Sequence, residues 1–197
     1  MDRQRVVAIV QARMASSRLP GKVLADIAGR PMLVRVVERA SRAKELNRLV
    51  VATTIEAEAD AVAAACEENG FAYYRGCAID VLDRFYQAAR QHEAGVVVRL
   101  TADCPLIDPE VIDRTVLAFL DADPSVDFAA NRLPGQRSSP IGLDTEVCSM
   151  AALERAWREA NQPHQREHVM PYLYDEPGRF RALLVWDDKD YSHHRWT

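Results

Sequence analysis

The sequence predicts an α/β protein built on a largely parallel sheet with helices on both faces, and three observations lead to that reading. Short apolar runs alternate with amphipathic stretches along the first two thirds of the chain, the pattern of crossover connections that bring successive strands into parallel pairing. Hydrophobic residues make up 48% of 197 residues, enough to give one α/β domain a core of its own. The first apolar run opens directly into a loop carrying three cations, and open α/β sheets bind their ligands beyond the carboxyl ends of the strands.

The elements follow in order. Val6–Val10 is an uninterrupted apolar run and reads as a buried strand. Pro20-Gly21 turns the chain. Pro31 suits a first helical position, and Leu33, Val36, Val37 and Ala40 then recur at i, i+3, i+4 and i+7, a helical stripe. Leu49–Thr53, Phe71–Tyr74, Val96–Leu100 and Val126–Ala129 read as further strands, with helices near Glu58–Asn69, Asp80–His92 and Pro109–Leu120. After residue 130 the pattern changes. Asn131–Pro140 reads as a loop carrying Arg132 and Arg137, followed by a strand near Thr145–Cys148 and helices near Ala151–Ala160 and Arg166–Tyr174.

A net charge of −4 argues against a broad nucleic-acid or anionic-membrane surface. The apolar run at the amino end is far shorter than a signal-peptide core or a bilayer span requires, so a cytoplasmic location is expected. Cys66, Cys77, Cys104 and Cys148 are scattered without a C-x-x-C pair, which predicts free, mostly buried thiols rather than a metal cluster or a disulfide framework.

Chemistry concentrates in Ile9–Lys22. Backbone N–H groups and the hydroxyls of Ser16 and Ser17 can face phosphate oxygens, while Arg13, Arg18 and Lys22 supply positive charge. The spacing is neither a Walker A loop nor a dinucleotide G-x-G-x-x-G, and on charge alone a solvated basic loop is an equal reading. Asp103 follows the strand Val96–Leu100, where a carboxylate can hold a divalent ion or can cap a loop. His164-Gln165-Arg166-Glu167-His168 matches H-x-x-E-H, but a zinc site needs a third protein ligand that nothing in the sequence identifies. His193-His194 reads as a solvated pair.

From Ala12 through Lys22 the chain resembles the cytidylyltransferases that activate acidic sugars. The CMP-Kdo-forming enzymes share the loop Ala-Arg-x-x-S-x-R-L-P-G-K, and the nearest likeness is to the branch named for spore coat polysaccharide biosynthesis protein F. Further matches are Asp26–Met32, Arg75-Gly76 with Asp80–Phe85, Asp103–Asp108, Gly142–Val147 and Arg166–Val169, so the resemblance spans nearly the whole chain. It implies a three-layer Rossmann-like nucleotide-diphospho-sugar transferase fold and transfer of CMP from CTP to a sugar acid or related acceptor, with release of pyrophosphate, in surface polysaccharide biosynthesis. Under it, residues 1–130 of a single nucleotidyltransferase domain bind nucleotide and residues 131–197 form an acceptor-binding and dimerisation extension.

The same resemblance assigns residues. Arg13, Lys22 and Asp103 are catalytic, and Asp103 binds Mg²⁺. Ala12, Arg13, Ser16, Arg18, Lys22, Arg75, Asp80 and Thr101 bind the nucleotide, although Arg75 and Asp80 equally suit a surface charge pair or a helix cap. Arg132, Asp144, Glu146, Arg166 and His168 bind the acceptor. The expected partners are CTP and a small acidic sugar, with a homodimer and without nucleic acid or membrane. Relatives carry a second metal-binding acid shortly after an Arg-Trp-Thr-like strand, a position that falls past Thr197, so a shortened C-terminus is expected and Asp144, Glu146, Asp187 and Asp188 are the available substitutes. Two rival readings remain: transfer of another nucleotide, as in the guanylyl transfer of molybdenum-cofactor enzymes, whose opening loop is richer in glycine, and a nucleotide- or nucleotide-sugar-binding protein without catalysis.

Overall fold

The computed structural model describes residues 4–15 and 19–197. In chain order the strands are β1 (Val6–Gln11), β2 (Asp26–Ile27), β3 (Arg30–Pro31), β4 (Arg48–Thr54), β5 (Tyr73–Gly76), β6 (Val96–Thr101), β7 (Phe128–Ala130), β8 (Arg132–Leu133), β9 (Gln136–Arg137), β10 (Glu146–Ser149) and β11 (Ala182–Leu184). The helices are α1 (Met32–Ala40), α2 (Asp60–Glu68), α3 (Val81–Gln91), α4 (Pro109–Leu120), α5 (Met150–Glu159), α6 (Pro163–His168) and α7 (Pro171–Tyr174). Seven strands form one sheet in the order β11-β7-β10-β6-β1-β4-β5. Only β10 runs against its neighbours, pairing antiparallel with β6 and β7, so its first residue, Glu146, lies opposite Arg99 near the carboxyl end of β6.

Helices cover both faces, as the alternation predicts. Val6, Ala8 and Val10 of β1 point to one face with Leu33, Val36 and Val37 of α1, Val62 of α2 and Ile112 and Val116 of α4. Val7 and Ile9 point to the other with Leu82 and Phe85 of α3, Leu153 of α5 and Leu173 of α7. Each strand of this central region is thus buried on both sides, the reason its sequence is continuously rather than alternately apolar. The four cysteines are free, and three of them are buried.

The differences from the sequence reading have local causes. Pro31 is the residue before α1 rather than its first, because it belongs to the small β2–β3 pair that turns the chain toward the helix. The strand expected at Phe71–Tyr74 starts two residues later, since Phe71 N still donates to Cys66 O at 2.8 Å and closes α2. Asn131–Pro140 contains the short β8–β9 hairpin. The helix expected at Arg166–Tyr174 is two helices separated at Val169, whose backbone lies at φ 71°, ψ −59° with Met170 N donating to His168 O at 2.9 Å. A three-residue turn of that hand is strained for a β-branched residue, at a cost of about 1–3 kcal/mol, and sits one residue from His168. β11 was not expected. Among the described residues no helix is long and apolar enough to cross a membrane.

Candidate active site

The carboxyl ends of β1 and β6 lie side by side, and pairing continues one residue past each: Ala102 N donates to Gln11 O of β1, and Ala12 N to Ala52 O of β4, both at 3.0 Å. Ala12 is buried in the core, so its backbone carbonyl, not its side chain, is what it can offer a ligand. The next residue, Arg13, leaves the sheet and is exposed. The loop after it is closed by Gly21, whose N–H donates to Met14 O at 2.9 Å and whose φ of +71° suits glycine. Lys22 then begins a single 3-10 turn, Lys22–Leu24. Ser16, Ser17 and Arg18, named from the sequence, lie outside the described residues.

Lys22 and Asp103, 81 residues apart, meet here with Nζ to Oδ2 at 2.5 Å. Burial raises the Asp103 carboxyl, but hydrogen bonds from Lys22 and Thr101 and the ammonium charge outweigh it, leaving the group below the ordinary carboxylate value. Thr101 also touches Cys104, Oγ1 to Sγ at 3.1 Å, and burial pushes that thiol up to about 11. Arg13 Nη2 lies 3.7 Å from Glu167 Oε1 of α6. A cleft of about 670 Å³ opens over this loop, lined by Arg13, Met14, Pro20, Gly21, Glu58 and Glu167, a size within the range of small-ligand sites.

On the β5 side, Arg75 donates from Nε to Thr54 O at 3.0 Å and pairs with Asp60 at 2.7 Å. Asp80 caps α3, accepting from Asp83 N at 2.9 Å, and is gripped on both oxygens by Arg166, which also donates to Trp157 O at 2.7 Å. Asp80 and Arg166, assigned from the sequence to base and acceptor, are therefore partners of each other. His168 is exposed. His164 pairs with Asp175 at 2.6 Å, and among the described residues no group of three or more His, Cys, Asp and Glu gathers in metal-binding range, so the H-x-x-E-H spacing finds no third ligand.

On the β10 side the charges interlock. Arg99 bonds to Glu146 and reaches Gln11 Oε1 at 3.4 Å. Arg132 lies 3.6 Å from Glu146 and 3.4 Å from Asp144. Arg137, opposite Arg132 across the hairpin, holds Asp144 at 3.0 Å. Asp144 thus bridges two like charges that would otherwise repel across the hairpin. Of the carboxylates considered as a second metal-binding acid, Asp187 is bound by Arg114, Ser138 and Ser139, Asp144 and Glu146 are held by the arginines just described, and Asp188 is exposed.

Two arginines escaped the sequence reading. Arg99 is the one charge inside the apolar strand Val96–Thr101. Arg84 lies on the apolar face of α3, fully buried, with Nη1 donating to Cys77 O at 2.6 Å and with Nε and Nη2 unpartnered among the described residues. Burial, with Arg13 nearby, lowers its guanidinium to about 10. Gly76 makes room for it, since a Cβ there would come within 3.1 Å of Arg84 Cγ and 2.7 Å of the Tyr74 ring. A lone cation among apolar neighbours was the available signal in both cases.

A part-exposed lysine–carboxylate pair beside an arginine-bearing loop lies where open α/β sheets bind their ligands. Residues 7–195 match the sequence profile of the cytidylyltransferases, and the chain belongs to that family of CTP-dependent nucleotidyltransferases. A solved cytidylyltransferase from Leptospira borgpetersenii serovar Hardjo-bovis superposes with a TM-score of 0.92 at 33% identity, covering 98% of this chain and 80% of that one. The spore coat polysaccharide biosynthesis protein SpsF of Bacillus subtilis is 33% identical over 185 residues, 91% of this chain and 74% of that protein. The 3-deoxy-manno-octulosonate cytidylyltransferase of Anaeromyxobacter sp. strain K is 42% identical over 118 residues, 59% of this chain and 48% of that protein.

Proposed function

We propose that this cytidylyltransferase moves CMP from CTP to a hydroxyl of a sugar acid or related acidic acceptor, releasing pyrophosphate, in the biosynthesis of a surface polysaccharide. The observation that carries the reading is the Lys22–Asp103 pair at the joined carboxyl ends of β1 and β6. A cation suited to phosphate and a carboxylate suited to a divalent ion, meeting at one point, support it. The relatives named for spore coat polysaccharide and for 3-deoxy-manno-octulosonate support the acceptor class.

In this reading the acceptor oxygen attacks the α-phosphorus in line. A new phosphorus–oxygen bond forms as the bond to the β-bridging oxygen breaks, its electron pair leaves with pyrophosphate, and the acceptor's proton passes to solvent. Arg13 and Lys22, with Arg18, neutralise the leaving pyrophosphate. The Ala12 carbonyl and the Arg75–Asp80 region face the base, and Thr101 supports Asp103. Arg132, with Asp144, Glu146 and the exposed His168, receives the acceptor; Arg99, Arg132 and Arg137 outnumber Asp144 and Glu146 by one charge, which favours an anionic group there. Arg166 acts through Asp80.

Mg²⁺ fits this donor set. Asp103 offers hard oxygen donors on a part-exposed carboxylate, and Mg²⁺ characteristically takes one or two carboxylates and completes its shell with phosphate oxygens and water. When bound it would supply charge neutralisation at the α-phosphate. We assign the reaction to the cytoplasm, where CTP is drawn from solution, and a homodimer contact to residues 131–197, where Trp186, Tyr191 and Trp196 are exposed.

The test is pyrophosphate release from CTP with Mg²⁺ across a panel of acidic sugars and their neutral counterparts. Release that requires both CTP and a carboxylate-bearing sugar is expected. Release with another nucleotide would redirect the assignment to that nucleotide, and tight CTP binding with no release under any acceptor would favour a binding protein.

A further inference from the structure

Each described cation of the phosphate loop already has a carboxylate partner: Arg13 faces Glu167 at 3.7 Å, and Lys22 holds Asp103 at 2.5 Å. We propose that the Lys22–Asp103 pair is an exchange site, which withholds Asp103 from divalent cations in the free protein and surrenders it only when a triphosphate draws the Lys22 ammonium away. The inference rests on the reading of Lys22 as a phosphate ligand and Asp103 as the metal ligand, and adds the order in which they are filled.

The surroundings of the pair favour exchange over a fixed structural bridge. Lys22's backbone is pinned, with its N–H donating to Leu19 O at 3.2 Å and its carbonyl accepting from Ala25 N at 3.0 Å. Its side chain is not: it is 27% exposed and carries its charge on a flexible four-carbon stem. The ammonium can therefore swing from Asp103 to a phosphate oxygen without moving the loop. Asp103 is 38% exposed, and its second oxygen, Oδ1, is not the one that Lys22 holds.

Among the described residues no second and third acid join Asp103 in metal-binding range. One carboxylate with an ammonium against it is a poor cation site, because the arriving ion meets a like charge and must displace it. Once triphosphate is present both groups gain: Lys22 pairs with phosphate oxygen, and Asp103 completes an ion that already carries phosphate and water ligands. Metal and nucleotide thus bind with positive coupling, and by linkage each raises the other's affinity by the same factor. Removing the lysine charge weakens triphosphate binding yet strengthens divalent-ion binding to the free protein.

The experiment is a titration with Mn²⁺ alone, free ion being counted by electron paramagnetic resonance, at low ionic strength and without nucleotide. Wild type, Lys22→Met, Lys22→Gln, Asp103→Asn and the Lys22→Met/Asp103→Asn double variant are compared, each checked for fold by circular dichroism. Lys22→Met and Lys22→Gln, either sufficing if the other does not fold, are expected to gain one site at least tenfold tighter than any in wild type. Asp103→Asn in the same background should remove the gain. No gain in a folded Lys22 variant, or a gain that survives loss of Asp103, would overturn the proposal. Because the titration contains no nucleotide, a failure of CTP turnover would count against the transfer reading and leave this result standing.

Discussion

On the β1–β6 side of the sheet's carboxyl edge, charges meet in single, part-exposed pairs; on the β6–β10 side they are shared around a buried carboxylate, Glu146. Lys22 and Asp103 form a single ion pair with each other, with 27% and 38% of their side chains exposed. Glu146 is 2% exposed and serves both Arg99 and Arg132, and Asp144 serves Arg132 and Arg137. Water can replace a partner in the first region and cannot at the Arg99–Glu146 pair of the second, where the side chains are 11% and 2% exposed. The first is built to trade partners for a ligand, and the second to hold its geometry while a ligand arrives. The same residue types therefore carry different consequences when removed.

The sharpest way to break this contrast is Glu146→Ala. It leaves Arg99, only 11% exposed, without its carboxylate, and breaking a buried ion pair from one side costs about 3–5 kcal/mol. Chemical denaturation should show that loss, and a cost near zero would mean that water reaches the network and the two regions do not differ. Lys22→Ala provides the opposite case. A charge-assisted hydrogen bond is worth about 1.5–3 kcal/mol, so calorimetry should show CTP affinity falling at least tenfold while the melting temperature stays close to wild type. Normal CTP binding with early melting would make Lys22 structural.

Arg166→Ala, on the β5 side, is expected to fall between the two in size. Arg166 is 23% exposed and grips Asp80, which still caps α3 through Asp83 N, so a loss on the order of 1.5 kcal/mol is expected in denaturant unfolding. A cost as large as that of Glu146→Ala would place this pair with the buried network. The smallest effect is on acid stability. The Asp103 carboxyl lies below its ordinary value in the folded protein, so its contribution is present above the unfolded value and is lost as pH falls through the lower, folded one. Asp103→Asn should flatten the stability curve in that acid window alone, and an unchanged curve would show that the pair contributes nothing measurable to folding.

Much of this edge was legible in the sequence, for a physical reason. Strand–helix periodicity records burial on both faces of β1, β4 and β6, and a loop with Arg13 and Lys22 after such a strand must lie at a carboxyl end. What periodicity does not record is partner choice. Arg99 to Gln11 spans 88 positions and Arg166 to Asp80 spans 86, and nothing local in either segment names the other. Val169 shows a different limit, since a valine gives no hint of the positive φ found there. The short β11 strand was hidden because three residues at a sheet edge are too few to show a period.

The central claim is that the exchangeable region receives CTP, and thermal unfolding with each of four nucleoside triphosphates and Mg²⁺ tests it most directly. At about a hundred times its dissociation constant, a ligand that binds only the folded state adds roughly 2.7 kcal/mol. CTP is expected to raise the melting temperature well beyond ATP, GTP and UTP at equal concentration, and Lys22→Ala should abolish most of that rise. Equal shifts from all four nucleotides would contradict the assignment.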